Sequence, residues 1–178
     1  MSTAPHTFGG RPITWEAYQG LGEDSRAEFI DGRLVMSPSP TFDHQEICFL
    51  LAAGLRRVVP PGHRVAQGWA WKPSEDEFTP DVMVVPATGE QARFTGTAVL
   101  AIEVLCTNRS DDLVLKTGKY AGAGLPHYWI VDPRDHTFFA FVLRGGLYAK
   151  AVDAEGAGRV LVSFGVAELE VDLDELFG

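Results

Sequence analysis

Pro80-Asp81 stands at the head of an apolar run, Val82-Met83-Val84-Val85, and a glutamate interrupts a second run, Val99-Leu100-Ala101-Ile102-Glu103-Val104-Leu105. Carboxylates are rare inside strands that read as buried on both faces unless they are paired or hold a cation. If the two segments are sheet neighbours, about 5 Å apart, Asp81 and Glu103 can reach a single ion. Oxygen ligands completed by water suit Mg2+ or Mn2+. Such an ion can polarise a phosphodiester and lower the pKa of a bound water that attacks phosphorus. The same chemistry wants a cation near the attacking water or the developing oxyanion. Leu105, two residues beyond Glu103 on the same strand face, cannot supply it. The helical segment downstream offers Lys116 and Lys119, and Asp112, Lys116 and Tyr120 recur every four residues as a polar stripe on one helical face. A lysine from that helix could take the place left by Leu105.

These residues also have plainer readings. Asp81 can simply open a strand after a proline, and Glu103 can form a structural ion pair with Arg109 or Lys116. A lone helix lysine such as Lys116 reads as solvated, and Lys119 reads as surface-exposed. Glu28 reads as a hairpin-edge residue and His44 as a surface or cap-side histidine. Tyr128-Trp129 reads as core. Trp69 and Trp71 fit core or edge packing, or stacking on a base in a cleft. No base that would make Cys106 a nucleophile is identifiable.

The elements that must position these groups follow from periodicity and punctuation. A short helix is expected over Ile13 to Leu21 with Thr14 as N-cap and Gly22 as stop. Asp31-Gly32 between Glu28-Phe29-Ile30 and Arg33-Leu34-Val35-Met36 signals a hairpin. Thr41 or Asp43 caps a helix running to about Val59, with Ile47, Leu50, Leu51, Leu55 and Val58 at helical spacing. Strands are expected over His63–Trp71, Val82–Val85, Val99–Leu105 and Tyr128–Asp132, with a helix from Asp111 to Ala123 before the last of them. Phe138–Leu143 and Gly146–Ala151 suggest a hairpin through Gly145-Gly146, Val160–Phe164 a further strand, and Asp172–Phe177 a last helical turn. The pattern predicts one mixed α/β domain spanning residues 1–178.

Composition sets limits on function. At 178 residues, 46% hydrophobic and 22% charged, the chain is the size of one soluble domain with a substantial core. No apolar run reaches the length of a membrane span, and Met1–His6 lacks the features of a secretory signal. Cys48 and Cys106 lie in apolar segments and form no CxxC pair, which argues against a thiolate zinc site and fits a reducing, cytoplasmic location. The net charge of −9 argues against tight, non-specific binding of nucleic acid. Acidic residues gather near the ends (Glu16, Glu23, Asp24, Glu28 and Asp31; Glu168 to Glu175), whereas Arg56, Arg57, His63, Arg64, Arg109, Lys116 and Lys119 leave room for a positive cleft.

Pro80-Asp81, Ile102-Glu103-Val104-Leu105, Asp112-x-x-x-Lys116-x-x-x-Tyr120 and Gly124-Leu125-Pro126-x-Tyr128-Trp129-Ile130-Val131-Asp132, in that order, resemble the Uma2 (DUF820-like) restriction endonuclease family of the PD-(D/E)XK nuclease superfamily. Glu28-Phe29-Ile30-Asp31-Gly32-Arg33-Leu34 and His44-x-x-Ile47 resemble the family pattern too, so the likeness spans about Thr14 to Leu143. It implies a restriction-endonuclease-like core, a mixed β-sheet flanked by helices, with an N-terminal hairpin and extra C-terminal strands. It further implies Asp81 and Glu103 as metal ligands, Lys116 as the catalytic lysine moved onto the helix, and Glu28, His44 and Tyr120 as accessory residues. Cys106 and His127 depart from the family's usual serine and glutamate.

Two functions follow as expectations. One is a Mg2+- or Mn2+-dependent endonuclease hydrolysing DNA, expected as a homodimer because cutting both strands commonly needs two sites. The other is a non-catalytic binding or interaction module on the same fold. Phe138-Phe139-x-Phe141 offers either a dimer interface or core.

Overall fold

The computed structural model describes residues 10–22, 27–106 and 110–178 and, for residues 110–112, the backbone alone. Met1–His6, Glu23, Asp24, Arg109 and the side chain of Asp112 lie outside the described residues.

The first elements are a two-residue strand β1 (Arg11–Pro12) and helix α1 (Trp15–Gln19). Thr14 caps α1, its hydroxyl oxygen accepting from the Ala17 amide at 3.2 Å; this satisfies a donor with no intrahelical partner. Strands β2 (Ala27–Ile30) and β3 (Arg33–Met36) form the expected hairpin. Its turn holds Asp31 at φ 51° and Gly32 at φ 69°, the left-handed pair that matches the twist of hairpin strands. Helix α2 (Phe42–Val58) is capped by Thr41 and buries Ile47, Cys48, Leu51, Ala52 and Leu55 along one stripe. It ends at Val59, which is extended (φ −62°, ψ 132°) because it precedes Pro60.

The single strand expected over His63–Trp71 is instead two, β4 (His63–Gln67) and β5 (Ala70–Trp71). Gly68 separates them at φ 54°, its amide donating to the Asp81 carbonyl at 3.1 Å. After β6 (Val82–Pro86) comes the short β7 (Arg93–Phe94), with which β5 pairs in parallel. Then follow β8 (Leu100–Val104), helix α3 (Ser110–Gly122) and β9 (His127–Asp132). Strands β10 (Thr137–Arg144) and β11 (Leu147–Glu155) form the hairpin expected through Gly145-Gly146. Strand β12 (Arg159–Ser163) pairs with β13 (Glu168–Asp172), whose outward Glu168 and Glu170 make it read as an acidic tail while Leu169 and Val171 turn inward. Asp172 caps the final helix α4 (Leu173–Phe177), its carboxylate accepting from the Asp174 and Glu175 amides.

One six-stranded sheet has the order β11-β10-β9-β8-β6-β4. Only β8 and β9 are parallel, with α3 as their crossover; the other neighbours are antiparallel. Side-chain alternation divides each apolar run between two cores. Val82, Val84, Leu100, Ile102 and Val104 pack with α2, α4 and the β12–β13 ribbon. Met83, Val85 and Ala101 face the opposite side, with Trp71, Tyr120 and Tyr128. Glu103 follows Ala101 by two and therefore belongs to this second side.

The phenylalanines of β10 are packing residues. Phe138 is fully buried, and Phe139 and Phe141 lie against the second core beside Tyr128 and Tyr148. Among the described residues no helix is long and apolar enough to cross a membrane.

Candidate active site

Strand β8 carries Glu103 into the interior, and α3 meets it with two side chains one turn apart. Lys116 Nζ lies 3.2 and 3.4 Å from the two Glu103 oxygens, and the Tyr120 hydroxyl donates to Oε1 at 2.6 Å. Lys116 is only 1% exposed, so the solvated reading fails: Lys116 and Tyr120, one turn apart on α3, are both buried. The ion pair of Glu103 with Lys116, one of the plainer readings, is present. Burial and the charges of Glu103 and Glu28 raise the Tyr120 pKa well above its usual value, so the phenol stays protonated and donates.

Glu28 joins the same cluster from the N-terminal hairpin. Its Oε1 accepts from Lys116 Nζ at 2.9 Å and from the Thr79 amide at 2.7 Å. Glu28 does lie on the outer strand of the hairpin, but that edge is covered: Phe29 and Glu77 exchange backbone hydrogen bonds of 3.0 and 2.8 Å, which docks β2 against the segment before β6 and buries Glu28 to 1% exposure. Glu28 Oε2 is buried with no hydrogen-bond partner, a costly state for a carboxylate oxygen. Lys119, expected to be surface-exposed, is partly buried and paired. It pairs with Asp31 and, at 2.8 Å, with Asp76, while Asp76 accepts from the Asp31 amide at 2.8 Å. Both carboxylates outweigh burial and raise the Lys119 pKa. These contacts fasten the hairpin turn to α3 and so help place Glu28 over Lys116.

Asp81 directly precedes β6. The β6–β8 register pairs Val82 with Ile102, and its extension by one residue sets Asp81 opposite Glu103. Asp81 Oδ2 accepts from the Val104 amide at 2.8 Å, and Oδ1 lies 3.3 Å from His44 Nε2. Burial works to raise the Asp81 pKa, but the hydrogen bond and charge of His44, the Val104 amide and Lys116 outweigh it and hold the carboxyl below its ordinary 3.8. His44 is buried rather than on the surface, because the first turn of α2, fixed by the Thr41 cap, faces the end of β6.

Cys48, one turn beyond His44, places Sγ 3.7 Å from His44 Nδ1. Among the described residues, His44, Cys48 and Asp81 form a group whose ligand atoms all lie within 4.8 Å of one another, close enough to share an ion. Sequence reasoning missed Cys48. The available signal was its spacing of four from His44, which puts both on one helical face. Burial, with Asp81 and Glu103 nearby, pushes the Cys48 thiol pKa up.

Along β4 a cleft of about 670 Å3 is lined by Arg56, His63, Arg64, Trp69 and Glu90. Trp69 is half-buried, donates Nε1 to the Gln91 carbonyl at 2.8 Å and leans on Phe94. Its neighbour Gly68 holds the Asp81 carbonyl, which ties the cleft to the carboxylate site. Trp71 is core, with Nε1 bonded to the Gly96 carbonyl at 2.9 Å.

Comparison with known proteins agrees with this architecture. The Uma2 family model, described as "Putative restriction endonuclease", matches residues 15–174. The fold is similar to the crystal structure of "a putative nuclease belonging to DUF820" from Anabaena variabilis ATCC 29413, with a TM-score of 0.76 and 23% identity over 93% of this chain and 98% of that one. No curated protein matches.

Proposed function

The chain belongs to the Uma2 family of restriction endonuclease-like proteins, and from that premise we propose that it is a Mg2+- or Mn2+-dependent endonuclease acting on DNA, folded as one catalytic domain. Asp81, directly before β6, falls opposite Glu103 of β8 when the strand register is extended by one residue, and both offer carboxylate oxygens. This all-oxygen donor set fits a hard divalent cation. When bound, that cation supplies polarisation of the phosphodiester and a lowered pKa for its water.

The chain's own residues do the rest. The low pKa of Asp81 keeps it ionised, and His44 and the Val104 amide fix its orientation. Tyr120 orients Glu103 through its hydroxyl. Lys116, held between Glu28 and Glu103, presents an ammonium that can hydrogen-bond the attacking water or stabilise charge developing on a phosphate oxygen. Arg56 and Arg64 offer cations for the nucleic-acid backbone, and Trp69 offers a ring for a base. Duplex cleavage would use two copies of the chain, in the cytoplasm.

The observation that carries this reading is the burial of Lys116 with its ammonium 3.2 Å from Glu103. A lysine is seldom desolvated without a task or a compensating charge. The same pairing is what favours the second reading, a non-catalytic interaction module: Lys116 already neutralises carboxylates in the site, and the net charge is −9. Nicking of supercoiled plasmid in Mg2+ or Mn2+ separates the two. Cleavage by the parent, lost in identically prepared Glu103→Ala, is expected. Equal cleavage by both would refute the site, and absence of cleavage on plasmid and linear DNA would favour the module.

A further inference from the structure

We propose that His44, Cys48 and Asp81 form a binding site for a thiophilic divalent cation, Zn2+ foremost, and that an ion there competes for Asp81 with the oxygen-ligated cation of the nuclease centre. The competition rests on the function proposed above; the site itself does not.

The donors converge from two elements. His44 and Cys48 lie one turn apart on α2, and Asp81 approaches from the end of β6. Cys48 Sγ lies 3.7 Å from His44 Nδ1 and Asp81 Oδ1 lies 3.3 Å from Nε2, the other ring nitrogen, so an ion bound through one nitrogen has one donor close and the other at up to 4.8 Å. In tetrahedral zinc, bonds of about 2.0 Å to nitrogen and oxygen and about 2.3 Å to sulfur place the donors roughly 3.3–3.6 Å apart. With one imidazole nitrogen, one sulfur and one carboxylate oxygen all within 4.8 Å, the site needs to close by about 1 Å, within reach of side-chain rotation.

The surroundings hold these donors in place. Val104 N–H holds Asp81 Oδ2, and Oδ1, paired with His44 Nε2 at 3.3 Å, is the oxygen that would exchange that partner for an ion. Gln67 Nε2 donates to the Cys48 carbonyl at 2.9 Å, and Thr41 accepts from the His44 amide, so the turn that carries both ligands is fixed at each end. Outer contacts of this kind orient metal ligands. The Asp81 side chain is 17% exposed, which gives an ion a way in and leaves a fourth position for water.

Donor chemistry sets the ion. Sulfur and imidazole ligands favour Zn2+ over Mg2+, which demands near-octahedral oxygen. The buried thiol is protonated before binding. As the S–H bond breaks its proton passes to water, and the S–metal bond forms in its place. The absence of a CxxC pair does not exclude such a site, because the second and third ligands come from His44 on the same helix and from a distant strand.

Titration of the metal-free protein with Co2+ tests the site without any reference to cleavage. The parent is expected to develop a thiolate-to-cobalt charge-transfer band that saturates at one equivalent and is erased by Zn2+. Cys48→Ser and Cys48→Ala are expected to lose the band, whereas Cys106→Ser, altering the other cysteine, keeps it. No band in the parent, or a band that survives both Cys48 variants, overturns the site. Loss of a direct ligand should weaken Zn2+ binding by about tenfold or more, since even outer-shell changes cost that much. If the parent nicks plasmid, Zn2+ should raise the Mg2+ concentration needed for half-maximal nicking, and an unchanged Mg2+ dependence overturns the competition. A cobalt band in a protein that cuts nothing supports the site and removes the nuclease reading alone.

Discussion

Replacing Lys116 with methionine removes one charge while keeping nearly all of the apolar stem. Nζ lies 2.9 Å from Glu28 Oε1 and 3.2 Å from Glu103 Oε1, and both glutamates are at most 2% exposed. At these distances and an effective dielectric of about 20, each pair attracts by about 5 kcal/mol before desolvation is counted. Removing the lysine recovers its own desolvation but strands two carboxylates that are buried from bulk water. The measured cost of breaking a buried pair is about 3–5 kcal/mol, and two partners place Lys116→Met near the upper figure. For a chain of 178 residues, each kcal/mol moves the Tm by about 2–4 °C, so a fall of about 10–20 °C is expected. Circular-dichroism melts at pH 7 measure it. Glu28→Gln in the Lys116→Met background should recover about 2 kcal/mol, because it removes one of the two stranded charges. A Lys116→Met variant that melts within about 2 °C of the parent, less than 1 kcal/mol on this scale, would refute the reasoning. Strict additivity of the two substitutions would also refute it.

Three further outcomes are expected. The folded Asp81 pKa lies below 3.8, so its contribution is fully present above that value and is lost as pH falls through the folded pKa. Urea midpoints of the parent and Asp81→Asn should therefore draw together as pH falls below about 4, and a gap that stays constant there would mean that Asp81 has no such linkage. Tyr120→Phe removes a 2.6 Å hydrogen bond to Glu103 and should cost about 1.5–3 kcal/mol in the same unfolding assay. Gly165 sits at φ 84°, and a Cβ there would meet His127 Nε2 at 2.8 Å. Gly165→Ala should cost about 1–2 kcal/mol for the left-handed backbone, with more for moving the ring, and an unchanged melt would contradict it.

Local patterning accounts for much of the fold. Thr14, Thr41 and the Asp31-Gly32 turn mark element ends through chemistry that acts within a few residues. Alternation in Val82–Val85 and Val99–Leu105 reveals two buried faces, and the spacing of Lys116 and Tyr120 reveals one helical face. The break at Gly68, the pairing of β5 with β7 and the strand β13 were less legible. Two-residue strands carry no period, and the acidic outward face of β13 hides an alternation of only two apolar residues.

The sequence by itself determined which side chains share a face, because backbone geometry fixes periods of 2 and 3.6 wherever an element forms. It did not determine which faces meet. Glu28 is 88 residues from Lys116 and reaches it only because the hairpin docks through Phe29 and Glu77. His44 meets Asp81 only because the first turn of α2 lies over the end of β6. Cys48 becomes a candidate ligand by the same packing. Burial of Glu28, His44 and Lys116 is a property of that docking. A residue's own neighbours along the chain do not reveal whether water or another carboxylate will face it, so the tertiary structure decided how these groups are buried and partnered.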